Sequence, residues 1–362
     1  MQLETGTPMF LAGDAYARGR AQAACGPALA EAVREAVALR LGQAQPLIAR
    51  TDVRAFFDRQ EADLEGLDPE GAAETRGIAD GFGIDYAALL TYLHLGLLRD
   101  FAQDGCSAWA WGKPWASGAP GADTVLVKNR DYRGEHMALQ RVFLHRDPAR
   151  PQDAILCVGS LGSPGAFSSG MNARGLAIVD THVSTRDHGP GLLRYFLMTR
   201  LLWTCGDVEE ALGLIAALPH AGGGCIVLAD TRGGVAAVEL GHSAQAVERG
   251  TPFVAKTNHF VDPACAPFWF PVGSDPMARS TRGRYARLQA WLGDRRERPP
   301  LADIAALMGG HGADGEEALC RHGQDGDSST ISCSVFAPSE RRLYFSAQHP
   351  CAGAWSLYDC RP

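Results

Sequence analysis

The alternation of apolar and polar positions divides the chain near residue 105 into two textures. Upstream, the runs have helical character. Ala15 to Gln45 is rich in Ala, Arg, Glu and Leu, with few breakers after Pro27, and predicts a helix. Asp52 is a candidate N-cap for a second helix through Phe56 and Phe57. Pro69 to Asp80 predicts a third, stopped by Gly81 and Gly83, and Tyr86 to Phe101 a fourth, apolar on most faces and therefore expected inside the fold.

Downstream, short β-type runs separated by Gly and Pro clusters predict strands at 107–111, 124–129, 140–145, 154–158 and 176–179. Helices are expected at 190–205 and 208–218, followed by strands at 225–229, 235–240, 244–248 and 253–257. Two more helices, 280–292 and 301–308, precede final strands at 330–336 and 342–347. Strands, then helices, then strands again imply an α+β fold in which two antiparallel sheets pack together with helices outside. No internal repeat is evident. Residues 1–105 read as a helical lobe or propeptide-like segment, and 106–362 as the core.

Composition narrows the function classes. A net charge of −7 argues against a nucleic-acid-binding face. No apolar run reaches the length of a membrane span, and the start of the chain lacks the basic and apolar regions of a signal peptide, so a cytoplasmic location is expected. The 10 cysteines form no C-x-x-C pair and no zinc-like Cys/His spacing. They read as small buried hydrophobes in a reducing compartment, with no metal expected and a Cys351–Cys360 disulfide left open. Of the 34 basic residues only Lys113, Lys128 and Lys256 are lysines.

The candidate nucleophile is Cys106. It stands in Asp104-Gly105-Cys106-Ser107, where the helical texture gives way to strands. A Cys at the head of a strand, preceded by an unobstructed Gly105, suits attack on its own upstream carbonyl. Cleavage of the Gly105–Cys106 bond would free an α-amine with a pKa of roughly 7.7–8.0, able to take the thiol proton as general base without a separate histidine.

Three polar motifs accompany it. Lys128-Asn129-Arg130-Asp131 ends a β run, and period-two alternation puts Asn129 and Asp131 on one face, Lys128 and Arg130 on the other. A carboxylate at Asp131 would orient the freed amine and favour its charged form. Lys256-Thr257-Asn258-His259 ends another run, where Asn258 is suited to donate to a developing oxyanion. Arg284, on a helix for which Ser280 is a candidate cap, and Arg321, in Leu319-Cys320-Arg321-His322, are candidates to hold a substrate carboxylate or steady the site. For each motif the competing reading is a turn or a surface ion pair.

Together with Gly170-Met171-Asn172-Ala173-Arg174-Gly175-Leu176-Ala177, these motifs resemble the acyltransferase family of fungal penicillin biosynthesis, peptidase family C45, whose relatives include β-alanyl-amine hydrolases and choloylglycine hydrolases. The resemblance implies a four-layer αββα N-terminal-nucleophile (Ntn) hydrolase fold, autocatalytic cleavage before Cys106 and no cofactor. It further implies Cys106 as nucleophile, Asn258 as oxyanion donor, Asp131 as a structural and processing aspartate and Arg321 as an active-site arginine. Arg284, Ser107 and Asn129 are the candidate substrate contacts. The family pattern often has Trp where Arg130 stands here, a departure that puts penicillin-type substrates in doubt.

The expected activity is hydrolysis or acyl transfer on a small N-acylated amine or amino acid through a Cys106 thioester. Acyl-coenzyme A is a further candidate donor, although no nucleotide-phosphate loop is evident, and the two cleaved chains are expected to stay associated as a heterodimer. The rivals are a papain-like peptidase, with Cys106 activated by His182 or His259, and a ligand-binding protein of the same fold.

Overall fold

A computed structural model describes residues 2–98, 105–112, 124–271, 275–312, 317–323 and 328–361. Asp104, Lys113 and the end of the fourth predicted helix beyond residue 98 lie outside them. The N-terminal part opens with two short strands, β1 (Gln2–Thr5) and β2 (Met9–Ala12), which the helical reading missed because four residues are too few for a periodic signal. Helices follow: α1 (Ala15–Ala21), α2 (Pro27–Ile48), α3 (Thr51–Leu67), α4 (Pro69–Phe82) and α5 (Tyr86–His94).

The single helix expected from Ala15 is thus two, interrupted before Gly26, whose φ of 98° no other residue type adopts easily. Asp52 lies inside the first turn of α3 rather than capping it, and its carboxylate pairs with Arg50 at 2.7 Å. True side-chain caps are Asp68, which accepts from the Gly71 N–H, and Asp85, which accepts from Ala88.

The remaining elements are β3 (Cys106–Trp111), β4 (Val125–Arg133), β5 (Gln140–Arg146), β6 (Ala154–Ser160), β7 (Ser169–Asn172), β8 (Ala177–His182), α6 (Arg194–Thr204), α7 (Val208–Ala217), β9 (Gly224–Ala229), β10 (Val235–Leu240), β11 (Gln245–Arg249), β12 (Phe253–Lys256), α8 (Asp275–Gly293), α9 (Leu301–Met308), β13 (Ser328–Ala337), β14 (Arg342–Ser346) and β15 (Ala354–Asp359). Helix α8 begins before Ser280, so that residue is internal to the helix and not its cap.

One sheet runs β1-β15-β14-β13-β4-β3-β12 and the other β11-β10-β9-β8-β7-β6-β5-β2. Both are antiparallel except at one edge, where β1 pairs with β15 and β2 with β5 in parallel. The expectation of purely antiparallel sheets is corrected there, because the missed N-terminal strands add to both edges.

Apolar side chains from the two sheets, among them Ala108, Leu126, Val179, Val227 and Phe336, form a core between them. The second sheet's other face packs on α2 to α7, and the first sheet's other face on α8 and α9. The architecture is therefore α+β in four layers, αββα. All ten cysteines are free thiols, Cys351 and Cys360 included. No helix among the described residues is long and apolar enough to cross a membrane.

Two buried ion pairs bridge the sheets. Lys128 on β4 meets Asp180 on β8 at 2.5 Å, and Lys256 on β12 meets Glu239 on β10 at 2.6 Å. Arg194 at the start of α6 joins Asp180 at 2.9 Å. Burial pushes the Asp180 carboxyl up, but Lys128 and Arg194 outweigh it and hold its pKa below the ordinary value. Removing that carboxylate would leave two buried cations uncompensated.

Asp180→Asn is expected to lower stability by about 3–5 kcal/mol, measured by urea unfolding; a loss within experimental error would mean that the pair is not holding the sheets. Acid sensitivity follows from buried histidines. Burial lowers His94 to about 4 and His136, His145 and His182 to about 3. Each stays neutral in the fold and gains a proton on unfolding below its ordinary pKa, so stability falls as pH drops from about 6.5 towards 4. Burial raises Asp68 to about 6 and Glu74 to about 7, which opposes the fall until both would be protonated in the unfolded chain too. The melting temperature is expected to decrease through this window and most steeply below about pH 4.5; a flat profile would contradict the assignment.

Candidate active site

Cys106 is the first residue of β3, and pairing with β4 aligns Cys106 with Arg130, Ser107 with Asn129 and Ala108 with Lys128. On its other side β3 pairs with β12, Ala108 opposite Lys256, which carries the chain on to Asn258 beside Cys106. The Cys106 backbone N–H donates to Asn258 Oδ1 at 2.9 Å. Arg284 Nη2 donates to the same oxygen at 2.8 Å, while Asn258 Nδ2 donates to the His182 carbonyl at 2.8 Å. Two donors and one acceptor fix which end of the amide faces Cys106.

Arg284 is fully buried and lies behind Cys106. Its Nη1 donates to the Cys106 carbonyl at 2.5 Å and to Ser107 Oγ at 2.9 Å. The upstream peptide is held as well: the Asp131 N–H donates to the Gly105 carbonyl at 2.9 Å. A side chain at position 105 would put its Cβ 2.6 Å from Arg321 Nη1 and 2.8 Å from Asp131 Oδ2, so it would have to push the Asp131–Arg321 pair aside. Asp131 accepts from Thr330 Oγ1 at 2.6 Å and faces Arg321 at 3.5 Å. Thr330 on β13 stands opposite Asp131, next to a shift of register between Thr330 and Ser332.

The alternation of β4 separates two environments. Asn129 is buried with its Nδ2 donating to the Met308 and Leu319 carbonyls, both at 2.8 Å. Lys128 and Arg130 point the other way, into a cavity that Cys106 also lines. Asp131 reaches this cavity too; Ser107, Asn129, Asn258, Arg284 and Arg321 do not line it. Its walls include Tyr92, Tyr132, Phe167 and Tyr195, and its charged groups include Arg40, Asp180 and Arg194. Arg130 is buried, stacks over the rings of Tyr132 and Phe167, and donates to Ser160 Oγ at 3.1 Å. Its Nη1 has no hydrogen-bond partner among the described residues. Burial pushes the Cys106 thiol up from its ordinary pKa, with Lys128 pulling the other way.

Neither histidine of the papain-like reading hydrogen-bonds the thiol among the described residues. His182 Nε2 faces Ser184 Oγ at 3.4 Å, and His259 Nδ1 faces Thr281 Oγ1 at 3.0 Å. The Lys128–Asp180–Arg194 triad beneath the cavity was not singled out from sequence. Its visible signals were the rarity of lysine and an Asp inside the apolar run of β8. The Gly170–Ala177 motif forms the hairpin from β7 to β8, where Asn172 accepts from the Leu176 N–H at 3.0 Å and donates to the end of α6.

Among solved structures the fold is similar to two variants of conjugated bile acid hydrolase from Clostridium perfringens. These are 12% and 14% identical, with TM-scores of 0.43 and 0.45, each covering 70% of this chain and 92% of the other. Penicillin V acylase from Agrobacterium tumefaciens is 15% identical, with a TM-score of 0.39 and coverage of 67% and 82%. Comparison with curated proteins gave no match. The profile of the family described as acyl-coenzyme A:6-aminopenicillanic acid acyl-transferase matches residues 119–351, which takes in Asp131, Asn258, Arg284 and Arg321 and begins downstream of Cys106. With more than half of its length matched, the chain belongs to the acyl-coenzyme A:6-aminopenicillanic acid acyl-transferase family and is an enzyme of the amide-cleaving hydrolase or acyltransferase kind.

Proposed function

We propose that the protein is a self-cleaving cysteine amidohydrolase or acyltransferase whose nucleophile is Cys106, acting on a small N-acyl amine or amino acid that carries an anionic group. The observation that carries this reading is the grip on the Gly105–Cys106 peptide. Its carbonyl oxygen accepts from the Asp131 N–H, and its N–H donates to Asn258 Oδ1, both at 2.9 Å.

In processing, Cys106 Sγ attacks the Gly105 carbonyl carbon, and the Asp131 N–H meets the oxygen on which charge develops. The C–N bond breaks, the thiol proton passes to the departing nitrogen, and water hydrolyses the thioester to release a carboxylate at Gly105 and a free amine at Cys106. Asn258 Oδ1 then orients that amine to accept the thiol proton in turnover, when Cys106 forms a thioester with the substrate acyl group. The second Nδ2 hydrogen of Asn258 is its remaining donor towards an oxyanion. Asp131, paired with Arg321, supports the loop against Gly105. Ser107 and Arg284 brace the Cys106 main chain, and Asn129 ties β4 to α9. Water or an amine completes the cycle.

Tyr92, Leu93, Leu95 and Gly96 line the cavity from upstream of the cleavage point. Residues 1–105 and 106–362 would therefore have to remain together for the site to stay whole, which supports a heterodimer of cleaved chains.

Intact-mass measurement of wild type is expected to give two chains corresponding to residues 1–105 and 106–362, and Cys106→Ala one uncut chain. An uncut wild type that persists on incubation would remove the autocatalytic reading. The unpaired, buried Arg130 Nη1 supports the anionic substrate, since a charged hydrogen bond is worth about 1.5–3 kcal/mol. Arg130→Gln is thus expected to raise KM about 10- to 100-fold for carboxylate-bearing amides and to leave neutral analogues nearly unchanged; equal effects on both would overturn that role.

A further inference from the structure

From three separated segments the fold assembles His311, Cys320, His322 and Cys351, whose ligand atoms all lie within 4.8 Å of one another. His311 follows α9, Cys320 and His322 precede β13, and Cys351 sits in the turn between β14 and β15. The segments are tied by main-chain bonds: the Leu319 and Cys320 N–H groups donate to the Gly310 carbonyl at 3.0 and 3.1 Å. Gly309 lets the Cys351 backbone come close, since a Cβ there would stand 3.1 Å from its nitrogen.

The separations have the dimensions of a coordination tetrahedron. Ligand bonds of about 2.05 Å for nitrogen and 2.3 Å for sulfur give edges of about 3.3 Å for N···N and 3.6 Å for S···N. His311 Nε2 and His322 Nε2 are 3.2 Å apart, and His322 Nε2 is 3.6 Å from Cys320 Sγ and 3.3 Å from Cys351 Sγ. Two imidazoles with two thiolates are the donor set and charge that suit Zn2+.

We propose that these four residues form a Cys2His2 zinc site of the structural kind, closed by four protein ligands with no position left for a substrate. Binding converts both thiols to thiolates and releases their two protons to solvent, so the site is electrically neutral with Zn2+. Three of the four ligands are exposed, which gives the ion a route in and out.

The site would pin the segment that carries Arg321. Arg321 lies between two ligands, its N–H donates to Thr330 Oγ1 at 2.8 Å and its carbonyl accepts from the Thr330 N–H at 2.9 Å. Thr330 and Arg321 both reach Asp131, beside Gly105. This last link rests on the processing role proposed for Asp131, whereas the metal site does not.

The test uses full-length protein purified with reductant, both as wild type and as uncut Cys106→Ala, so that metal binding is read independently of self-cleavage. Elemental analysis is expected to find one zinc per chain in each, and Co2+ substitution to give four-coordinate d–d absorption with a thiolate-to-cobalt charge-transfer band. Chelation should speed hydrogen exchange at the amides of residues 317–322. Cys351→Ser and His311→Ala should weaken Zn2+ binding by at least about a hundredfold, since even an outer-shell partner is worth 10–100-fold. His349→Ala should keep the metal, because His349 is not one of the four residues whose ligand atoms converge. Absence of zinc and of the thiolate–cobalt band in wild type would overturn the proposal, as would a Cys320–Cys351 disulfide in protein prepared with zinc and reductant. Loss of the band from His349→Ala but not from His311→Ala would overturn the ligand set.

Discussion

A guanidinium buried without a contacting carboxylate among the described residues is the constraint around which the site is built. Arg284 has no exposed surface, and its two Nη groups reach three neutral oxygens: the Cys106 carbonyl, Ser107 Oγ and Asn258 Oδ1, while Nε donates to Ser280 Oγ at 3.4 Å. A charge in that position is tolerated only while its hydrogen bonds are made, because each lost bond would leave desolvated charge behind. The three acceptors are therefore held in place relative to one another. This sets the start of β3 against the residue that follows β12, and with them the peptide at which the chain is proposed to be cut.

Strand β4 divides the chemistry. Its alternation sends Lys128 and Arg130 inward, towards the second sheet and the cavity, and Asn129 and Asp131 outward, towards α9 and the Arg321 segment. The inward face supplies cations, one spent on Asp180 and one with a donor to spare. The outward face supplies the Asp131 carboxylate and main-chain N–H beside Gly105, backed by Thr330 and the His311/Cys320/His322/Cys351 cluster. Pocket and proposed cleavage point thus share one strand, and Asp131 touches both: it lines the cavity and its N–H holds the Gly105 carbonyl.

Much of this was legible along the chain. Strands and helices downstream of residue 105 lie within a few residues of their expected positions, because each has clear periodicity bounded by Gly or Pro. Four strands escaped. β1 and β2 are very short, β7 consists of Ser-Gly-Met-Asn with little intrinsic β preference, and β15 follows a turn in which no period is visible. Of the candidate site residues, Cys106 and Asp131 line the cavity. Asn258, Arg284 and Ser107 form the network behind Cys106, and Asn129 ties down α9. Residue type and motif position indicate that such groups matter, but not whether a given side chain faces a substrate or braces the one that does.

What could be read from order alone was whatever is local: the change of texture at Cys106, the unobstructed glycine before it, the two faces of Lys128-Asn129-Arg130-Asp131, and the α+β class. These depend on backbone sterics and on periods of two or 3.6 residues, which are properties of neighbours in the chain. Packing settled the rest. Asp180 meets Lys128 across 52 positions and Arg284 meets Cys106 across 178, while four metal-type ligands from residues 311 to 351 come together without any recognisable spacing. Such contacts are chosen by how two sheets stack and where their connections return, and no short-range pattern encodes that choice.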